Sequence, residues 1–346
     1  MPDASLLVLV VIIVLAVGFG VVNGFNDAAN AIAASVGSRA LSPRKALLIA
    51  IVANLIGAAT GLEVAKTIGK GILIPEAITY LTVIAALGSV IVWGSIATWM
   101  GLPVSITHGF LAGLASAGVA VVGLDAVVWN LMARVGSSVA IAPMLGFAGG
   151  LVMMVAIFWI FRRSAPSMMR SVFSRLQWLT TAFLAYSHGK NDGQMPIGVI
   201  AMGLVAYYAR VGQLDRSAAV WGEIAIGGGL WWVIVLAALA ISSGTAVGGW
   251  RVIRTMGVSM TALDPVHGFA AQASAATVIE VASHYGIPVS TTHCATSAVL
   301  GVGATRRLSA VRWGVAGNIV TAWVLTFPIC AALGYVFAQL LMAVTG

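Results

Sequence analysis

The chain has 346 residues, of which 60% are hydrophobic and only 8% charged, with a formal net charge of +8. A soluble domain carries about 25% charged residues, so too little polar surface exists to coat a water-soluble globule; the mean hydropathy is +1.03. The basic residues sit in short segments between apolar runs, a signature of membrane topology that argues against nucleic acid as a partner.

A membrane span needs about 20 apolar residues. The runs Leu6–Val22, Ala46–Gly61, Ala77–Trp99, Val139–Phe161, Ile224–Ile241 and Val315–Leu341 supply the candidates. The first follows Asp3 rather than a basic stretch and leads into a polar motif instead of a cleavage site, so it is expected to stay in the mature protein. Basic residues cluster at Arg39, Arg44 and Lys45, at Arg162, Arg163, Arg170 and Arg175, at Arg251 and Arg254, and at Arg306, Arg307 and Arg312. The remaining loops hold Lys66, Lys70, Arg134, Arg210 and Arg216, diluted by Glu63, Glu76, Asp125 and Asp215. Placing the denser clusters in the cytoplasm predicts five crossings per half, with both termini outside. An odd number turns the second half upside down, and re-entrant hairpins are the alternative to some of these crossings.

The expected fold is therefore an all-α polytopic membrane protein of two inverted-topology repeats, with broken helices and re-entrant hairpins. Residues 1–161 form the first repeat, 162–176 a basic cytoplasmic linker and 177–346 the second repeat. Cys294 and Cys330 lie in apolar context and suggest neither a disulfide nor a resident metal site. No Gly-x4-Gly-Lys-Ser/Thr loop is present for ATP hydrolysis, and no cofactor is expected.

Two polar motifs each occur twice, in the same order. Gly24-Phe25-Asn26-Asp27-Ala28-Ala29-Asn30 answers to Gly189-Lys190-Asn191-Asp192-Gly193-Gln194, and Gly101-Leu102-Pro103-Val104-Ser105-Ile106-Thr107-His108 answers to Gly286-Ile287-Pro288-Val289-Ser290-Thr291-Thr292-His293. Paired interrupted segments at matching places in two halves point to a transporter's central site. An aspartate at mid-bilayer costs about 3 kcal/mol on insertion scales, so it normally faces a cavity and meets a cation, a proton or a substrate. Glycines flank both Asn-Asp pairs, which predicts broken helices whose freed carbonyls join Asn26, Asp27, Asn191 and Asp192 around cations. The plainer alternative is that the pairs only bond helices together.

The Gly-x-Pro-Val-Ser-x-Thr-His motif predicts a helix start, because proline stops the preceding helix and serine or threonine caps the next one. Unpaired N–H groups and the positive dipole end favour an anion there. Two such starts, Ser105–Thr107 and Ser290–Thr292, suit a tetrahedral oxyanion between them; simple capping of two membrane helices is the alternative. His108, His293 and His188 follow as candidates for proton transfer or for support behind the site. His267 and His284 have no repeat partner and read as structural.

Together, Gly24–Asn30, Ser187–Gln194 and the two Pro-Val-Ser-x-Thr-His segments resemble the PiT family of inorganic phosphate transporters, over nearly the whole chain. The resemblance implies a homodimeric secondary transporter of inverted repeats that moves phosphate with sodium or protons by alternating access, without catalytic residues. It places Asn26, Asp27, Asn191 and Asp192 at the cation and phosphate site, and Ser105, Ile106, Thr107, Ser290, Thr291 and Thr292 around the phosphate. Transported sodium is the one metal implied, and metal-phosphate stands as an alternative cargo. Three positions depart from the family pattern: Ile106 replaces a threonine, Met195 a lysine and Gln272 a glutamate, which leaves the coupling ion open. Compact loops suit a prokaryotic inner membrane. Competing readings are a sulfate or other oxyanion permease, an anion channel and an intramembrane phosphotransfer enzyme.

Overall fold

A computed structural model of the chain describes residues 6–210 and 231–345. Asp3, Asp215, Arg216 and the start of the Ile224–Ile241 run lie outside the described residues.

Every named element is helical. The first half holds α1 (Leu6–Gly37), α2 (Pro43–Ala58), α3 (Glu63–Gly71), α4 (Tyr80–Met100), α5 (Ile106–Val122) and α6 (Trp129–Ile160). The second holds α7 (Pro166–Asp192), α8 (Gln194–Arg210), α9 (Trp231–Val247), α10 (Trp250–Arg254), α11 (Pro265–His284), α12 (Thr291–Ala304) and α13 (Trp313–Thr345). The same order of parts recurs. Each half has a long helix carrying Asn-Asp, then a bent pair, then a helical hairpin, then a 32- or 33-residue helix with an internal proline, Pro143 or Pro328.

Local chemistry sets the boundaries. Pro43, Pro166 and Pro265 occupy the first helical turn, where the missing N–H costs nothing. Thr79 and Thr82 close a reciprocal capping box at the start of α4. Gly101 (φ 75°) and Gly286 (φ 65°) end the first limb of each hairpin in a left-handed conformation that a β-carbon would strain. Prolines 103 and 288 then hold the tips extended until Ser105 and Ser290 start α5 and α12.

Among the described residues, four helices are long and apolar enough to cross a membrane: α1, α4, α6 and α13. The pairs Pro43–Ala58 with Glu63–Gly69 and Trp231–Val247 with Trp250–Ser259 bend by 66° and 63°, and each passes the same test as one broken span. Large apolar side chains such as Leu7, Trp99, Met144, Trp159, Leu179 and Val324 stand exposed. A belt of this kind suits lipid rather than water. The chain is a multi-pass membrane protein.

The expected break appears in one motif and not in the other. α1 runs without interruption through Asn26 and Asp27, and the second helix pauses only at Gly193. α1 keeps its helical form at that depth, and the oxygen atoms gathered there belong to side chains and to carbonyls of the hairpin tips.

The halves exchange partners. α1 packs on α9 while α7 packs on α2, and α5 packs on α13 while α12 packs on α6. Glycines permit the close crossings: a β-carbon on Gly24 would lie 2.0 Å from Ile241 O, and one on Gly244 2.0 Å from Val21 O. The matching crossing gives 2.3 Å from Gly189 to Asn54 O and 2.1 Å from Gly57 to Tyr186 O. Two large apolar clusters result among the described residues. One is built around Ile12, Phe19, Ile68, Leu87 and Phe110, the other around Ile32, Met154, Phe173, Leu184 and Ile279. A buried polar layer carried by α1, α7 and the hairpin tips lies between them.

Candidate functional site

Both Asn-Asp pairs meet both hairpin tips in that layer. Thr292 Oγ1 donates to Asp27 Oδ1 at 2.8 Å, and Thr107 Oγ1 to Asp192 Oδ1 at 3.1 Å. These bonds are the same contact made twice, since each half's aspartate is held by the other half's hairpin. Thr291 Oγ1 adds a 2.6 Å bond to Asp192 Oδ2 and lies 3.5 Å from Asp27 Oδ2. Asn30, one turn beyond Asp27, reaches Thr291 Oγ1 (3.3 Å) and Thr292 Oγ1 (3.1 Å) through Nδ2. Its counterpart Met195 offers Thr107 Oγ1 only a thioether, at 3.3 Å.

The asparagines repeat the pattern. One terminal atom of the Asn26 amide lies 2.7 Å from Thr98 Oγ1, and the other 3.1 Å from Asp27 Oδ1 and 3.3 Å from Val104 O. For Asn191 the matching distances are 2.9 Å to Ser283 Oγ, 3.2 Å to Asp192 Oδ1 and 3.1 Å to Val289 O. Each Asn-Asp pair therefore gathers with a hairpin carbonyl on one spot. His188 stands between the carboxylates, with Nε2 3.2 Å from Asp192 Oδ2 and 3.6 Å from Asp27 Oδ2. Its Nδ1 lies 2.8 Å from Asn54 Oδ1. All of these residues are buried.

An isolated buried carboxylate is costly, and a hydrogen bond to a charged group returns about 1.5–3 kcal/mol. Two or three hydroxyl bonds across this pair offset part of that cost. Two carboxyl groups still share one small volume, an arrangement that suits cations. Two helices start beside this volume, at Thr291 and Ile106, and a helix N-terminus favours an anion. Chemically, the centre brings groups that suit an anion next to groups that suit a cation.

Not every residue expected here lines it. Ser105 and Ser290 are N-caps, their Oγ atoms accepting from His108 N (3.2 Å) and His293 N (3.1 Å). Ile106 joins the apolar cluster around Phe19. His108 and His293 stack behind the tips: their rings are 5.2 Å apart, and His293 lies 4.0 Å from the ring of Trp323. Gln272 bonds Ala31 O (2.8 Å), Thr180 and Thr181, and makes no hydrogen bond to either aspartate. His267 is tied to Arg306 at 3.0 Å, away from the centre. Asn54, Thr98 and Ser283 were not foreseen. Asn54 left a signal, as the one amide in an otherwise apolar stretch; Thr98 and Ser283 left none.

A family model described as the phosphate transporter family matches residues 23–334. A probable low-affinity inorganic phosphate transporter of Rhizobium meliloti is 40% identical over 98% of this chain and 99% of its own length. A Bacillus subtilis protein of the same description is 35% identical over 96% of each chain. Among solved structures, a sodium-dependent phosphate transporter superposes with a TM-score of 0.83 at 27% identity, covering 98% of this chain and all of that one. These relatives are transporters rather than enzymes, which sets aside the phosphotransfer reading. With the repeated Asn-Asp and Pro-Val-Ser motifs brought to one centre, the chain belongs to the phosphate transporter family.

Proposed function

We propose that this protein moves inorganic phosphate across the membrane in symport with cations, by alternating access between two inverted repeats. One observation carries the reading: two carboxylate–amide pairs and two anion-attracting helix starts, one of each per half, converge on a single buried centre.

The oxyanion binds the N–H groups and hydroxyls at Ile106–Thr107 and Thr291–Thr292. The coupling cations bind where each asparagine amide, each aspartate Oδ1 and a hairpin carbonyl approach one another. Thr98 Oγ1 and Ser283 Oγ support this, because they bond the carbonyls of Gly94 (2.7 Å) and Ile279 (2.8 Å) on their own helices. Each hydroxyl then accepts from the amide nitrogen, which turns the amide oxygen toward the carboxylate. Three oxygens facing one spot suit a hard cation. Cations there neutralise the aspartates and remove the repulsion that an arriving anion meets. Phosphate also keeps a P–OH near neutral pH that donates to a carboxylate, which sulfate lacks.

The exchanged packing suits alternation. Each hairpin tip leans on the bent pair of the other half, through Thr255 Oγ1 to Gly101 O (2.9 Å) and Thr67 Oγ1 to Gly286 O (2.7 Å). Tilting one bent pair thus moves the opposite gate.

Purified protein in liposomes tests the reading by phosphate uptake under imposed sodium gradients, then pH gradients. Accumulation above equilibrium that collapses when the gradients are dissipated is expected. Flux that persists without gradients supports a channel instead, and equal competition by sulfate supports a general oxyanion permease.

A further inference from the structure

We propose that Lys190 and Glu280 form an ionic latch that holds the first limb of the second hairpin on α7, and so positions the spot at Asn191 and Asp192 for sodium. The latch rests on the phosphate reading and adds to it a pair of positioning residues outside the buried centre.

Charges within the spanning region of a membrane protein are rare, pair with one another and mark function. Lys190 precedes Asn191 on α7, and Glu280 lies on α11 one turn before Ser283. Lys190 Nζ bonds Glu280 Oε1, with the two side chains 16% and 28% exposed. Ser187 Oγ donates to Glu280 Oε2 at 3.4 Å. Both oxygens of the carboxylate are thus held by α7. Phe183 and Val281, on the same two helices, stand exposed, so the pair lies on an outer seam of the protein rather than in its core. Each charge is costly on an apolar seam, and each neutralises the other.

α7 packs backbone to backbone against α2 at this level. A β-carbon on Gly57 would lie 2.1 Å from Tyr186 O and 3.0 Å from Lys190 N. The latch therefore acts on α11. Ser283 bonds Ile279 O at 2.8 Å on its own helix and meets the Asn191 amide at 2.9 Å. The other end of that amide lies 3.2 Å from Asp192 Oδ1 and 3.1 Å from Val289 O. Lys190 with Glu280 and Asn191 with Ser283 join the same two helices within one turn. A shift of α11 along α7 that breaks one contact loosens the other.

The first half has no such latch. In the register that matches Asn26 with Asn191 and Thr98 with Ser283, Val22, Phe25 and Ser95 stand in place of Ser187, Lys190 and Glu280. The bond from Asn26 to Thr98 is made there with no charge at those positions. The repeated architecture does not require the pair, which serves the second spot alone.

Purified full-length protein in liposomes tests the latch through activation of phosphate uptake by Na+. Glu280→Gln and Lys190→Met should each raise the half-activating Na+ concentration roughly 5-fold, while the phosphate KM at saturating Na+ stays within about two-fold. A field effect alone would shift the two variants in opposite directions, since one leaves a bare cation beside the spot and the other a bare anion. The exchanged pair, Lys190→Glu with Glu280→Lys, should return toward wild type. Glu63→Gln, which breaks only the exposed pair with Lys66, should match wild type. Lys190→Met combined with Glu280→Gln leaves no unpaired charge. It carries the test if a single variant does not fold, with the same loss of roughly 5-fold in Na+ activation. Opposite shifts, unchanged Na+ activation, an equal loss of phosphate affinity, a neutral double variant that does not fold, or a wild type that Na+ does not activate overturns the latch. Wild-type phosphate accumulation alongside any of these results leaves the phosphate reading standing. No accumulation under sodium or pH gradients removes that reading and the latch with it.

Discussion

The two sides of the centre share a scaffold but not a chemistry. On one side, α1 and the second hairpin bring Asn30, Thr291 and Thr292 around Asp27. On the other, α7, α8 and the first hairpin bring Met195 and Thr107 to Asp192. An amide and two hydroxyls face a thioether and one hydroxyl, while the sec-butyl chain of Ile106 packs in the apolar cluster around Phe19. Asn23 and His188, each one turn before its aspartate, differ as well: His188 contacts both carboxylates, whereas both amide atoms of Asn23 are without a hydrogen-bond partner. The elements that cross closely are held alike by backbone contact, while the centre is free to diverge. Binding strength for the anion should thus concentrate on the second hairpin, although both halves remain necessary.

Backbone crossings promise the largest effects. Gly24→Ala forces a β-carbon into Ile241 O and should leave little folded protein, whereas Gly317→Ala, which meets nothing within 4 Å, should melt within about 1 kcal/mol of wild type. Thermal unfolding in detergent reads both. Next, Asp27→Asn and Asp192→Asn should each fold and yet reduce concentrative uptake by roughly 100-fold, the scale of a lost charged interaction. If either one accumulates phosphate normally, only one half contributes. A sharper contrast comes from the threonines. Thr292→Ala should weaken apparent phosphate affinity by tens of fold and Thr107→Ala by only several fold, because Thr292 also holds Asn30. Equal losses would erase the asymmetry. The smallest effect is expected from Ile106→Thr, which restores a hydroxyl but gives up apolar packing, for a gain in affinity of no more than about five-fold.

Much of this was legible before any coordinates. Asp27 and Asp192 announce themselves because carboxylates are costly inside apolar runs, and the Pro-Val-Ser segments because proline and serine dictate a helix start. Asn30 sits three residues after Asp27, on the same helical face, and its proximity follows from that spacing. The step from flanking glycines to broken helices holds at Gly193, where the second helix is interrupted, and not in α1. Gly24 and Gly189 serve close crossing with α9 and α2, a need that sequence does not separate from chain flexibility. The role of Asn54 depends on α2 lying against α7, a long-range fact no local pattern encodes. Thr98 and Ser283 are ordinary hydroxyls in helices, and only three-dimensional pairing distinguishes them from residues that bond their own backbone.

Equilibrium phosphate binding to purified protein reads whether both halves build one anion site. Isothermal titration of the wild type, Asp27→Asn, Asp192→Asn and the double variant should give one phosphate per chain in the wild type. Each single variant should lose that same site, and the double variant should be little worse than either. Two independent phosphates per chain, or an aspartate variant that binds as tightly as the wild type, would contradict a single shared site.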